Sequence, residues 1–225
     1  MNIQHVEEYL GAIYRLRESP QAPLPLPKLQ EYLNYTLISI HEMVRKLESA
    51  SLILYIPYRG VTLTDPGEQV AAALVRRHRI WEVFLTDKLA IPWDTTHDIA
   101  GQLEHAAPEV VTEQLAAFLG EPELCPHGRA IPPKAESLEL TSQHARAINP
   151  PAPGIRLTQA SSGEEHQVSS ISPEVMPYLQ QFHRWGIRPG ASIRITGHEA
   201  ETFTVLANGA EIEIPDDQAS TIWVV

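Results

Sequence analysis

The stretch from Arg76 to Ala106, RRHRIWEVFLTDKLAIPWDTTHDIAGQLEHA, constrains this chain more than any other. Helical periodicity on either side breaks at Ile91-Pro92-Trp93, because proline cannot sit in a helix interior and biases the residue before it toward extended backbone. Two helices are therefore predicted. The first offers His78 and Glu82 at i,i+4, and the second offers His97, Gly101, Glu104 and His105 at i, i+4, i+7, i+8. Those spacings stack side chains on one face of each helix. A lone pair of this kind describes many solvated helix faces. Two such helices in succession favour a metal-binding segment, and imidazole with carboxylate suits divalent Mn, Fe, Co, Ni or Zn.

The chain has 225 residues, room for one large or two to three small domains. It has no run of about 18 apolar residues, so no transmembrane helix is expected. The start, MNIQHVEEYLGAIYRL, is acidic and amphipathic, unlike a signal peptide. The single Cys125 excludes an intramolecular disulfide and fits a reducing cytoplasm. A net charge of −11 argues against indiscriminate nucleic-acid binding. The charge is uneven, however. Residues 1–65 carry six basic against seven acidic side chains, residues 66–140 six against twelve, and residues 141–225 five against nine. The first third is least hostile to DNA, and carboxylates accumulate in the middle, where a cation site would want them.

In the first third, Val6, Leu10 and Ile13 mark the core stripe of a helix near residues 3–17, with Glu7 and Glu8 off it. The loop SPQAPLPLPK, with four prolines in ten residues, precedes a short helix near Lys28–Leu33. A helix over Leu37–Ala50 buries Ile40, Val44 and Leu47, leaving Ser39, His41, Glu42, Arg45, Lys46 and Ser49 near its open face. LILYIPYRGVTLT then reads as two strands around Tyr58-Arg59-Gly60. This order of elements is that of a winged helix-turn-helix over residues 1–65. In such a fold the third helix enters the major groove, and Arg59 at the wing tip reaches a flanking phosphate. The metal-binding segment then reads as a sensor whose output lies upstream, in this DNA-binding domain.

Thr64-Asp65-Pro66 starts the next helix with a Thr cap and an early proline, and the pattern runs to about Ala90 on a stripe of Val70, Ala73, Leu74, Trp81, Phe84 and Leu85. A second helix covers about Asp94–Ala106. A third, Pro108–Leu119, carries Val110, Val111, Leu115 and Phe118, more apolar surface than a small monomer needs, which predicts a homodimer contact. Cys125 and His127 have no second pair at zinc-finger spacing and read as a Pro-stiffened loop. The helical domain is assigned to 66–140 and a linker ending NPPAPG to 141–155. From 156 to 225, short β-like runs (HQVSSI, ASIRITG, TFTVLAN, AEIEIP) around one helix, Glu174–Trp185, suggest a small β-barrel. The fold class is α+β multidomain: winged helix-turn-helix, helical dimerisation domain, small SH3-like barrel.

EEYLGAIYRL, YRGVTLTDPG, RRHRIWEVFLTDKL, HDIAGQLEHAAPEV, CPHGRAIP and GIRPGASIRI, in this order and spacing, resemble the diphtheria-toxin-repressor family of metal-dependent transcriptional regulators, three-domain type. The resemblance covers the whole chain. It implies a winged helix domain, a helical metal-binding and dimerisation domain, and an SH3-like third domain.

It also implies two metal positions. His78, Glu82 and His97 match the ancillary position, and Glu104 and His105 match the primary, regulatory one. Glu8 falls where iron-type members carry Met and manganese-type members carry Asp; this hard ligand, with the YRG wing, points to Mn(II) first and Fe(II) next. Gly101 stands where the family has Cys or an acid, so only its carbonyl is available and the primary site has one anionic ligand fewer. Gly11 lacks the Glu of manganese regulators, which makes the ancillary site the stronger. Glu174 sits close to the acid that the third domain lends to the ancillary site, and Tyr178 stands at the matching amide position.

Thr36, Ser39 and His41 match the start of the family's recognition helix, Lys46 a phosphate-contacting Arg, and Arg45 and Arg59 complete the expected DNA contacts. The implied function is metal-dependent operator binding by a cytoplasmic homodimer on a palindromic duplex, repressing manganese or iron uptake genes. Two rival readings are a DNA-binding regulator with a partly lost or different effector site, motivated by Gly101 and Gly11, and a divalent-metal hydrolase.

Overall fold

The computed structural model describes residues 3–17, 19, 21–134 and 154–225. The linker expected at 141–155 lies outside the described residues up to position 153, as do residues 135–140 of the expected helical domain. The chain forms two compact units. One takes the residues through Arg77 and resumes at Ile131; the other takes His78–Ala130 and the C-terminal residues.

In the first unit, α1 (Ile3–Leu16), α2 (Leu26–Leu33) and α3 (Leu37–Ser49) precede a hairpin of β1 (Ile53–Ile56) and β2 (Gly60–Leu63). The hairpin pairs antiparallel, Ile53 opposite Leu63. The expected stripe of α1, Val6, Leu10 and Ile13, is buried with Ile40, Val44 and Leu47 of α3 in one core. Tyr9, Ala12 and Tyr14 are buried too, so α1 is covered on more than one side. Asn34 ends α2 in the left-handed conformation, and the Thr36 hydroxyl caps α3 by accepting the Ser39 N–H. Such a cap contributes about 1 kcal/mol and fixes where the helix begins. The proline-rich loop does more than connect. Leu24, flanked by residues that cannot donate, exchanges backbone hydrogen bonds with Val61 at 2.8 and 3.0 Å and edges the hairpin.

α4 (Asp65–Asp87) begins in this unit and ends in the other. The Thr64 hydroxyl accepts the Gly67 N–H, as expected of its cap. The single apolar stripe expected for α4 does not hold. Ala73 is exposed, while Leu74, Val75, Ile80, Val83 and Leu85 are buried together with the polar Arg76, His78, Arg79 and Glu82. A helix covered all round its middle has no single buried face for periodicity to report.

In the second unit, α5 (Trp93–Leu103) and α6 (Glu109–Phe118) follow α4. α5 stops at Leu103, so Glu104 caps it and His105 lies beyond the helix. On α6 Val110, Val111 and Phe118 are exposed and only Thr112 and Ala116 are buried, which leaves an apolar face open in the single chain. The remaining elements are β3 (Ile155–Arg156), β4 (Glu165–Ile171), α7 (Met176–Trp185), β5 (Ser192–Glu199), β6 (Thr202–Ala207), β7 (Ala210–Pro215), α8 (Asp216–Ala219) and β8 (Ile222–Val224). The sheet order is β3-β8-β4-β5-β6-β7. Ile171, Leu179, Phe182, Ile195 and Val205 share its core, and Trp93 of α5 packs into the same cluster. Among the described residues no helix is long and apolar enough to cross a membrane.

Gly60 tests the wing. Its φ is +123°, and a Cβ there would stand 2.0 Å from the Leu24 carbonyl oxygen. Gly60→Ala is expected to cost about 2 kcal/mol or more through backbone strain and the lost Leu24 bridge. Urea unfolding of the full chain measures it; an unchanged midpoint refutes the close approach.

Candidate metal centre

Glu82 is the hub of the second unit. Its carboxylate is 1 % exposed, and its Oε1 lies 2.9 Å from His78 Nε2, 3.1 Å from His97 Nδ1 and 3.3 Å from His127 Nδ1. His78 and Glu82 come from successive turns of α4, and His97 comes from α5, as the spacing predicts. His78 also reaches the other way. Its Nδ1 is 2.6 Å from Glu104 Oε2, and Glu104 Oε1 lies 3.4 Å from His105 Nε2. The His78 ring thus joins the residues expected at the ancillary position to two of those expected at the primary one.

His127 and Cys125 are the ligand-type residues that sequence spacing misses. The segment turns tightly: Gly128 N–H donates to the Cys125 carbonyl and Cys125 N–H to that of Arg129, both at 2.9 Å. Gly128 has φ +77°, and a Cβ on it would stand 2.1 Å from the Ser169 carbonyl oxygen. Ile171 N–H donates to the His127 carbonyl at 3.1 Å. Strand β4 therefore holds the loop that aims His127 at Glu82, with Cys125 Sγ 4.0 Å from His127 Nδ1. Two overlapping triads result, His78–Glu82–His97 and Glu82–Cys125–His127, each with ligand atoms within 4.8 Å of one another. Only CPHG hinted at the second, and its partner lies over forty residues away.

Electrostatics follow from burial. Burial alone would raise the Glu82 carboxyl, but His127 and His78 hold it well below the usual range. Burial alone would lower His127, yet Glu82 and Cys125 hold it well above its ordinary value. His97 is pushed down by burial and by His78, against the pull of Glu82 and Glu174. Burial and Glu82 push the Cys125 thiol up. Glu174, buried just before α7, would be raised by burial but is held down by His97, Arg79, Arg129 and His127. It is thus a carboxylate facing the cluster rather than the first residue of a helix.

The cluster fits a divalent ion. Ligand atoms about 2.1 Å from one ion lie roughly 3.0–3.5 Å from each other, and the three nitrogens lie 2.9 to 3.3 Å from Glu82 Oε1. Glu82 Oε2 and His127 Nε2 are buried without a hydrogen-bond partner, a costly arrangement for polar atoms. Imidazole, carboxylate and thiol together suit a first-row transition metal.

Other expected residues are placed as follows. Gly101 is on α5, with nothing within 4 Å of where its Cβ would stand. Glu8 is in the first unit, where the Tyr35 hydroxyl donates to it at 3.2 Å. Tyr178 donates to Asp217 at 2.6 Å. Ser39, Arg45 and Lys46 on α3 and Arg59 at the wing tip are exposed, and His41 is half-buried. Thr36 is exposed, but its hydroxyl is engaged as the α3 cap.

His127 also makes the metal-free fold pH-dependent. A pKa raised on folding adds stability that is fully present below about 6.5 and is lost as pH rises through the raised value. His97, lowered on folding, acts oppositely. His127→Gln is expected to remove the first contribution, together with the pull of His127 on the Glu82 and Glu174 carboxyls, and to leave that of His97. In chelator, the stability difference between wild type and His127→Gln should therefore shrink from mildly acid to alkaline pH in urea unfolding. A difference that grows with pH refutes the assignment.

The comparisons with known proteins agree with this layout. The profile described as "Iron dependent repressor, N-terminal DNA binding domain" matches residues 1–61, and "Iron dependent repressor, metal binding and dimerisation domain" matches 64–133. The "FeoA domain" matches 155–225. The diphtheria toxin repressor of Corynebacterium jeikeium is 30% identical, covering 99% of this chain and 97% of that protein. The iron-dependent repressor IdeR of Mycobacterium leprae is 27% identical over the same shares. A solved manganese-dependent transcriptional repressor in complex with manganese is 31% identical with a TM-score of 0.81, covering 98% of this chain and 99% of that one. These relatives regulate transcription and are not enzymes, which removes the hydrolase alternative. With a DNA-binding domain, a dimerisation domain and the ligand cluster between Glu82 and its histidines all in place, the chain belongs to the iron-dependent repressor family of metal-dependent, DNA-binding transcriptional regulators.

Proposed function

We propose that this protein is a cytoplasmic homodimer that binds a palindromic operator when loaded with Mn(II) or, second, Fe(II), and represses genes for uptake of that metal. The observation that carries the reading is the convergence of three imidazole nitrogens on Glu82 Oε1, with Glu82 Oε2 and His127 Nε2 left unpartnered.

His78, Glu82, His97 and His127, with Cys125 and Glu174 beside them, hold one ion. Glu104 and His105, with the Gly101 carbonyl, hold the regulatory one, and Glu8 of the first unit is a further proposed ligand. When bound, metal supplies positive charge and fixed ligand directions. His78 connects the two sets through its two ring nitrogens. Glu8 lies on α1, which shares a core with the DNA-reading helix α3, so its capture biases the DNA-binding unit toward one arrangement. In the dimer two copies of α3 then meet half-sites about one DNA turn, about 34 Å, apart. Arg45, Lys46 and Arg59 contact phosphate; Ser39 and His41 lie toward base edges. The exposed Val110, Val111 and Phe118 form the dimer face. Mn(II) leads because Glu8, Glu104 and Glu174 are hard ligands; Cys125, a softer one, keeps Fe(II) second.

The rival, a regulator whose effector site is partly lost, is favoured by the open space at Gly101. Fluorescence anisotropy on the protein's own upstream DNA, at one salt concentration, separates the two. Mn(II) or anaerobic Fe(II) is expected to raise affinity roughly tenfold or more over chelator, and Glu82→Gln and Glu8→Ala should each lose most of that gain. Equal affinity in chelator gives the rival reading. Metal dependence that survives Glu8→Ala removes Glu8 from the switch.

A further inference from the structure

We infer that Tyr35 is a positioning residue that orients the Glu8 carboxylate from the foot of the DNA-reading helix, so that metal and DNA are coupled through this pair. The inference rests on the proposed role of Glu8 as a ligand. Tyr35 stands between two fixed backbone positions: Asn34, the left-handed cap of α2, and Thr36, whose hydroxyl caps α3. Its ring stacks on that of Tyr9 with centroids 6.0 Å apart and planes 18° from parallel. Its hydroxyl donates to Glu8 Oε2 at 3.2 Å. Tyr9 is 2 % exposed, anchored in the core of the first unit. The aromatic pair is thus a strut between α1 and the first turn of α3.

A carboxylate offers two oxygens and about four lone-pair directions, so Glu8 can keep the Tyr35 hydrogen bond and still present an oxygen to an ion. Donors to a ligating carboxylate fix its orientation, and losing one lowers metal affinity by about ten- to a hundredfold. Here the donor also precedes the helix that meets DNA. Leu37 and Ile38, the next residues after the cap, are exposed at that end of α3. The N-terminal residues of a recognition helix are those that reach base edges. The hydrogen bond and the ring stack give a shift of the Glu8 carboxylate a route through Tyr35 to the residue that caps α3. By reciprocity, DNA that seats α3 also seats Glu8 for metal.

Tyr35→Phe keeps the stacked ring and removes only the donor. The experiment measures Mn(II) affinity of the full-length protein by competition with a fluorescent chelator, with and without an upstream DNA duplex that the wild type binds. The ratio of the two affinities is the coupling factor. In wild type, DNA is expected to tighten Mn(II) binding roughly tenfold. In Tyr35→Phe, Mn(II) affinity without DNA should fall about tenfold and the coupling factor should approach one, while DNA affinity in chelator stays that of wild type. A variant that loses DNA affinity equally with and without metal, at unchanged coupling, makes Tyr35 a structural residue only and overturns the inference. Glu8→Ala separates the two readings. If it keeps the coupling, Glu8 is not a ligand and both readings fall. If it loses the coupling while Tyr35→Phe retains it, only the role of Tyr35 falls.

Discussion

Taking the carboxylate of Glu82 out of water has a cost that the rest of the second unit must offset. An isolated buried carboxylate is not tolerated in an apolar interior; it must be paired or coordinate a metal. The chain answers with imidazoles from three places, an adjacent turn of α4, α5, and the loop before Ile131, so the fold of the helical segment and the placement of the barrel are tied to one oxygen atom. With a proton on His127 the arrangement is a buried ion pair, and on the proposed reading it becomes a ligand set when metal binds. The same residues serve both states, which suits a sensor that must fold before it encounters its ion.

Part of this was legible in the sequence because it is local. The i,i+4 pair of His78 and Glu82 and the following His97 obey helical spacing, and the structure brings them together. Thr64 before Asp65-Pro66 and the left-handed Gly186 after Trp185 likewise mark helix ends by chemistry confined to a few residues. What could not be read depends on distant backbone. His127 gains a role only because β4 grips the loop through Ile171 and the space at Gly128. Glu104 and His105 keep their neighbours although α5 ends at Leu103, because Glu104 retains helical backbone angles as the cap. Ala73 on α4 faces out while Leu74, Val75, Arg76, His78 and Arg79 beside it are buried, a tertiary fact invisible to periodicity.

In the first unit the recognition elements depend on short-range devices. The caps at Asn34 and Thr36 set the turn between α2 and α3, and the Leu24–Val61 bridge anchors the wing. None of these needs a metal. The unit can therefore be built fully folded while its use on DNA is governed elsewhere, which is how a net acidic chain can bind a polyanion on demand rather than continuously.

The two sets of ligands differ in their access to water. His127 is fully enclosed and Glu82 nearly so, whereas the His105 side chain retains 20% exposure. An ion held by the enclosed set leaves only when the loop or a helix opens, so its residence time follows local unfolding. An ion beside His105 exchanges by ligand substitution with solvent. On the proposed assignment of ligands the protein would carry two clocks: a slow one that remembers past metal supply and a fast one that follows the present.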